Sequence, residues 1–289
     1  MVTASLSETG PMGRLRWWQW PNILALDAVL IAVVWQHWLG YPGLAGSLVL
    51  ALSVWLTYTG DRWLDVRGLP DEHIVTDRHR FARRWEKELA VIWVAVLVAD
   101  IVLSLTGLTH QQFVTGLFML GGCIAYSVAV HRHLRVPKEY LVALIFTLGT
   151  ALYAAGQTPP LPLIPATSSL FLLAFANCSL IAFREMSIDV EMGRTSLARQ
   201  HPGSRPWAFY ALAAAGAISL YLGLTVAAQH LLVCVCAAGL FALGLAAERL
   251  PMELFRVLAD TILLLPGLAF FIPGLHPASE AWLINVPGL

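Results

Sequence analysis

Residues 89–106, LAVIWVAVLVADIVLSLT, hold a single ionisable side chain, Asp100, in eighteen positions. A helix of about 20 mainly apolar residues crosses the hydrocarbon core of a bilayer, so this stretch, with its ends at 87–106, predicts a transmembrane helix. On either side the pattern repeats, near 22–38, 42–60, 112–131, 138–156, 166–184, 206–226, 229–247 and 252–272. The expected fold is therefore all-α, a polytopic membrane protein with nine transmembrane helices. Composition points the same way. Only 12% of the 289 residues are charged and 58% are hydrophobic, against roughly 25% charged in a soluble domain, which needs a charged surface. Eighteen basic and eighteen acidic side chains cancel, so charge predicts no nucleic-acid partner.

The basic residues alternate along the chain. Arg14 and Arg16 precede the first span. Arg62, Arg67, Arg78, Arg80, Arg83, Arg84 and Lys87 follow the second, and Arg132, Arg135 and Lys138 the fourth. Arg184, Arg194, Arg199 and Arg205 follow the sixth, and Arg249 and Arg256 lie between the eighth and ninth. Every Lys and Arg is in one of these groups. Because basic loops stay on the cytoplasmic side, the alternation predicts a cytoplasmic N-terminus and an outer C-terminus. Residues 1–21 then form a cytoplasmic interfacial segment, 22–272 the membrane domain, and 273–289 a non-cytoplasmic tail. The N-terminal stretch lacks the short apolar core and cleavage site of a secretory signal, and its tryptophans and arginines suit an interfacial anchor. The prolines of GQTPPLPLIP, 156–165, are expected to end one helix before the next begins. Cys123, Cys178, Cys234 and Cys236 all lie in apolar stretches and are expected to be reduced packing residues.

Two acidic stretches stand at the expected cytoplasmic ends of the second and sixth spans. The first reads Thr57-Tyr58-Thr59-Gly60-Asp61-Arg62-Trp63-Leu64-Asp65, the second Arg184-Glu185-Met186-Ser187-Ile188-Asp189-Val190-Glu191-Met192-Gly193. Asp61 with Asp65, and Glu185 with Asp189, are spaced i,i+4 and share a helix face if each helix continues past the membrane boundary. Like charges so placed repel by about 0.2–0.5 kcal/mol unless a positive group lies between them. Mg²⁺ fills that role with one or two carboxylates, substrate phosphate oxygens and water. The plainer alternative is a pair of solvated helix ends neutralised by Arg62 and Arg184.

This pattern resembles the UbiA superfamily of intramembrane prenyltransferases, which have nine helices and Asp-rich motifs after helices 2 and 6. Asp61 and Asp65 match the last two acids of a first motif of the form N-D-x-x-D-x-x-x-D. Glu185, Asp189, Gly193, Ser196, Leu197 and Ala198 match D-x-x-x-D-x-x-x-G-x-x-[ST]-[LT]-A in register. Arg16, Pro21, Tyr126, Lys138-Glu139, Arg184 and Arg194 also fit, and the likeness covers about residues 14–272. The chain departs from the family where Thr57-Tyr58 replaces Asn-Asp, where Glu185 replaces Asp, and where 76–81 reads TDRHRF in place of an Asn-x-Arg-Pro sequence.

The resemblance implies a UbiA-like bundle in the bacterial inner membrane with its active site on the cytoplasmic face. It implies Mg²⁺ held by Asp61, Asp65, Glu185 and Asp189 on an isoprenoid diphosphate, whose prenyl group passes to a lipophilic acceptor. Arg62, Arg78, Arg80, Lys138 and Arg194 are the candidates to neutralise the leaving group. Tyr58, Tyr126 and Asn177 are candidates to line the prenyl chamber within the lipid. Two alternatives stay open: a terpene cyclase of the same fold, and a non-catalytic membrane protein or transporter. Transporters carry polar groups at the midplane of paired repeats, whereas these acids gather at one face. Among other polar residues, Asp27, Asp100 and Asp260 fall within expected spans, where ionisable groups are costly and default to functional hypotheses. His131 and His133, spaced i,i+2, do not share a helix face and suit a helix C-terminus better than a metal.

Overall fold

The computed structural model describes residues 15–41, 43–131, 138–158 and 160–272. The expectations that fall on Arg14, Arg132, His133 and Arg135, on the His131 side chain, and on 273–289 lie outside these. All regular structure among the described residues is helical. In chain order the helices are α1 (Trp20–Ile23), α2 (Leu26–Trp38), α3 (Leu44–Val66), α4 (Asp77–Arg84), α5 (Glu86–Gly107), α6 (His110–His131) and α7 (Lys138–Ala151). They continue with α8 (Pro160–Arg184), α9 (Met186–Glu191), α10 (Leu197–Gln200), α11 (Arg205–Thr225), α12 (His230–Leu245) and α13 (Met252–Ile262).

Each of the nine apolar stretches is helical, but they differ in length and continuity. Glu86–Gly107, His110–Ala129, Pro160–Arg184 and Pro202–Thr225 are long and apolar enough to cross a membrane. A fifth joins them if the bent pair Trp17–Ile23 and Leu26–Trp38, at 74°, is one span. These helices are those of an integral membrane protein. The remaining stretches are shorter or more polar: α7 has 14 residues, α12 has 16, and α13 has 11 before the 3-10 turn Leu265–Phe270. Helix α3 has 23 residues, but its last two turns carry Asp61, Arg62 and Asp65.

Two details differ from the sequence reading. The first span is broken at Ala25, whose φ of 58° lies in the left-handed region, a conformation that costs an L-residue roughly 1–2 kcal/mol. Pro160 and Pro162 open α8 rather than closing α7, and Pro165 lies inside it. Amide groups in a first helical turn have no intrahelical partner, so a proline there removes no hydrogen bond.

Helix α8 is the central strut. It packs against α7, α11, α12 and α13, burying Leu163, Leu170, Leu173, Ala176 and Leu180 along its length. Alanines 208, 211 and 215 of α11 are buried facing it, and small side chains let helix backbones approach closely. Ser219 donates to Ser169 across this contact at 3.2 Å. Trp35 of α2, fully buried, donates its indole N–H to Leu263 O at 2.9 Å and stacks edge-on against Trp38. This ties the first span to the last.

Helices α5 and α6 lie differently. α5 buries no residue, packing chiefly on α3, while α6 packs on α7. Val91, Leu105 and Phe118 are each more than 60% exposed. A contiguous apolar surface of that size is untenable in water and is what a helix facing lipid presents. The four cysteines are free, and Cys236 donates its thiol to Ile262 O.

Trp35→Ala removes both a core side chain and the hydrogen bond to Leu263. We expect a loss of about 3–5 kcal/mol, measured as a lowered thermal unfolding midpoint in detergent.

Candidate functional site

The two acidic stretches meet at one end of the bundle. Asp61 and Asp65 occupy the last turns of α3, which runs unbroken to Val66. The second stretch is less regular. α8 stops at Arg184, Glu185 sits at φ −99°, ψ 10°, and α9 resumes at Met186. The i,i+4 geometry survives the break, because Asp189 N–H still donates to Glu185 O at 3.0 Å.

Chain termination of α9 aims the next residue. Gly193 has φ +67°, and Arg194 N–H reaches back to Asp189 O at 2.8 Å. This is the left-handed glycine closure of a helix C-terminus, and it turns the chain so that the Arg194 side chain faces α3. There its guanidinium lies 2.6 Å from Asp65.

Opposite it, α4 returns the exchange. Arg78, in the first turn of α4, reaches Glu185 at 3.3 Å. Each acidic stretch is thus neutralised by an arginine that follows the other one. Arg256 of α13, only 2% exposed, also pairs with Glu185. His79, 1% exposed, sits between the two sets. Its Nε2 accepts from Arg194 at 2.8 Å and lies 3.9 Å from Asp65, while its Nδ1 pairs with the Thr76 hydroxyl. That pattern suits a neutral ring.

The electrostatics follow from this packing. Burial lowers the Arg78 and Arg194 pKa values. Glu253, Asp65 and Asp189 oppose this at Arg78, and Asp65, Asp61 and Asp189 at Arg194. Burial, with Arg78 and Arg194 adding to it, likewise holds His79 well below the usual histidine value, against its contact with Asp65. At Asp65 burial acts upward, but His79, Arg194 and Lys138 outweigh it and the carboxyl stays below its ordinary range. Carboxylates from both stretches therefore act on the same two guanidinium groups.

The other expected ligands are spread more widely. Arg62 and Arg184 direct their hydrogen bonds away from the acidic stretches. Arg62 donates to Ile23 O at 2.8 Å, and Arg184 to Leu250 O at 3.0 Å with Glu248 nearby. Arg80 turns onto its own loop, bonding Ile74 O at 3.1 Å and pairing with Asp77. Lys138 opens α7, close enough to act on Asp65. Glu139 beside it is buried and accepts from Leu197 N–H at 2.9 Å, anchoring the segment after the second acidic stretch. Tyr126, on α6, is 8% exposed.

Beside the acids lies a cavity of about 60 Å³, walled by Ile31, Val142, Ala143, Phe146 and Leu263 on its apolar sides. Tyr58, Arg62, Asn177, Asn22, Asp27 and Asp260 supply its polar wall. Tyr58, Asp61, Arg62 and Asp65 follow one another at helical spacing on α3, so the cavity wall runs directly into the acidic end. Asp100 is remote from this wall and accepts from Ser53 at 2.8 Å.

In the sequence the Arg78-His79-Arg80 run reads as either a phosphate clamp or a basic anchor, and Asp27 and Asp260 as costly charges within spans, but Arg256 is not singled out. Arg256 had a signal: a basic residue four positions before an acid in an apolar helix must be partnered, because burying a lone charge is costly.

Among the described residues no group of three or more His, Cys, Asp or Glu side chains is placed to hold a metal ion, so Asp61, Asp65, Glu185 and Asp189 do not converge as one ligand set. Mg²⁺ does not require such a set. It binds through one or two carboxylates, with phosphate oxygens and water completing its shell. Carboxylates from two chain segments with arginines interleaved fit that donor chemistry, the arginines suiting the phosphate and the carboxylates the cation.

Replacing Gly193 tests how Arg194 is placed. Gly193→Ala should cost about 1–2 kcal/mol in unfolding stability, whereas Gly193→Asn, which tolerates the left-handed conformation, should cost less. Unfolding of the two variants in detergent, read side by side, gives the comparison.

Compared with known protein families, with curated proteins and with solved structures, the chain matches none.

Proposed function

We propose that this chain is an intramembrane prenyltransferase of UbiA type, which binds an isoprenoid diphosphate with Mg²⁺ and transfers its prenyl group to a lipophilic acceptor. The observation that carries this reading is the exchange of arginines between the two acidic stretches, Arg194 to Asp65 and Arg78 to Glu185, at the mouth of a largely apolar cavity. A substrate with a highly charged head and a hydrocarbon tail needs that combination. In the same reading the nine apolar stretches are nine crossings of a bacterial inner membrane. The N-terminus and the acidic end face the cytoplasm, in keeping with the distribution of Lys and Arg.

The chain's own groups divide the work. Arg78 and Arg194 exchange their carboxylate partners for diphosphate oxygens, to which guanidinium groups bond in a bidentate fashion. Asp65 and Glu185, freed from Arg194 and Arg78, would hold the cation together with Asp61 and Asp189. Bound there, Mg²⁺ supplies positive charge that stabilises the departing diphosphate. As the bond between the allylic carbon and the diphosphate oxygen breaks, its electron pair leaves with the diphosphate. The acceptor then attacks the carbon with its own electron pair, and the proton it gives up passes to the released diphosphate. The walls formed by Ile31, Val142, Phe146 and Leu263 keep water from competing for that carbon.

Asp61→Ala and Glu185→Ala should each abolish Mg²⁺-dependent release of diphosphate from labelled prenyl diphosphates, assayed on detergent-solubilised protein. Full turnover by both variants would rule the assignment out.

A further inference from the structure

The polar wall of the cavity is more organised than a hydrocarbon tail requires. The break at Ala25 sets Asn22, on α1, beside Asp27, in the first turn of α2. Asn22 Nδ2 donates to Asp27 at 2.7 Å and lies 3.4 Å from Asp260 of α13. Asp27 also accepts from Ala28 N–H at 2.8 Å, and Asp260 from Asn177 Nδ2 of α8 at 2.9 Å. Two carboxyl groups from the first and last apolar stretches are thus brought together by amide donors.

One atom of this cluster is left over. Asn177 is only 6% exposed, it lines the cavity, and its Oδ1 has no hydrogen-bond partner. A buried acceptor without a partner carries a desolvation cost of about 1–3 kcal/mol, which a ligand that donates a hydrogen bond removes. Asn177 Nδ2 is committed to Asp260 through one N–H, whereas its Oδ1, on the cavity wall, is free to accept.

We infer that Asp27, Asp260 and Asn177 form a binding site for the hydroxyl head of a lipophilic alcohol or phenol. For its role as the acceptor site this rests on the transferase reading above; the binding itself does not. Tyr58 and Arg62, on the same wall and the same face of α3 as Asp61, connect the hydroxyl site to the acidic end.

The test compares 4-hexylphenol with 4-hexylanisole, which differ in the O–H donor, as ligands of the full chain in detergent, with apparent affinity read from the shift in thermal midpoint. The phenol should bind wild type more tightly than the ether. Asn177→Leu and Asp260→Asn should remove that preference, weakening phenol binding about fivefold, the scale of one hydrogen bond. Ala143→Val, which narrows the cavity from its apolar side and leaves every polar group in place, should weaken the phenol as well. It serves as the independent check should a polar variant fold poorly. Equal affinity of wild type for phenol and ether, as expected if the cavity holds only water, would overturn the site. So would a phenol preference that persists in Asn177→Leu, or phenol binding left unchanged by Ala143→Val. The phenol preference should survive in Asp61→Ala. If the preference holds while Asp61→Ala and Glu185→Ala retain diphosphate release, the transferase reading falls and the hydroxyl site stands.

Discussion

A buried charge is stable only with a partner close by, because an unpaired ion away from water carries a penalty of several kcal/mol. Much of the acidic end of this protein is arranged around that constraint. Asp65 and Glu185 come from helices far apart in sequence, and neither takes its cation from its own neighbourhood. Asp65 takes Arg194, and Glu185 takes Arg78 and Arg256. Three helices, the α8–α9 break and the segment after α9 are therefore fixed relative to one another by pairing, at the point where hydrophobic packing gives way to polar surroundings. Replacing such pairs by apolar residues is often neutral for stability, so their retention fits a site that exchanges partners with an anionic ligand.

The apolar part of the molecule obeys a different rule. Between helices surrounded by lipid there is no hydrophobic driving force, and association depends on close packing and interhelical hydrogen bonds. The contact of α8 with α11 has both, in its buried alanines and in the Ser219–Ser169 bond. α5 and α6 have little of either and remain at the periphery with their apolar faces outward. A bundle with one dense side and one loosely attached side leaves room for the cavity between α2, α3, α7, α8 and α13.

Much of the architecture is legible in the sequence because hydropathy acts locally. The run at 89–106 is a helix whatever surrounds it, since the backbone in hydrocarbon must satisfy its own hydrogen bonds. All nine expected stretches are helical, and four of the helices, or five with the bent pair, are long and apolar enough to cross a membrane. Their lengths and breaks were harder to read. Neither the bend at Ala25 nor the opening of α8 at Pro160 is dictated by residue type, because alanine disfavours the left-handed region and proline serves at either end of a helix. Both follow from how neighbouring helices pack. The spacing of Asp61 with Asp65 and of Glu185 with Asp189 was likewise legible, whereas the closing role of Gly193 was not.

Partner choice was not legible. Proximity in sequence favoured Arg62 and Arg184 as the neutralising groups, yet each points to a backbone carbonyl on another segment. By itself the sequence determined an α-helical membrane chain with its acids at two helix ends, since both properties depend on residues within a few turns of one another. Only the tertiary structure decided which arginine meets which acid, and that Asp27, Asp260 and Asn177 share a cavity. Those choices depend on distances between segments as much as 238 residues apart, which are set by helix packing and not by local composition.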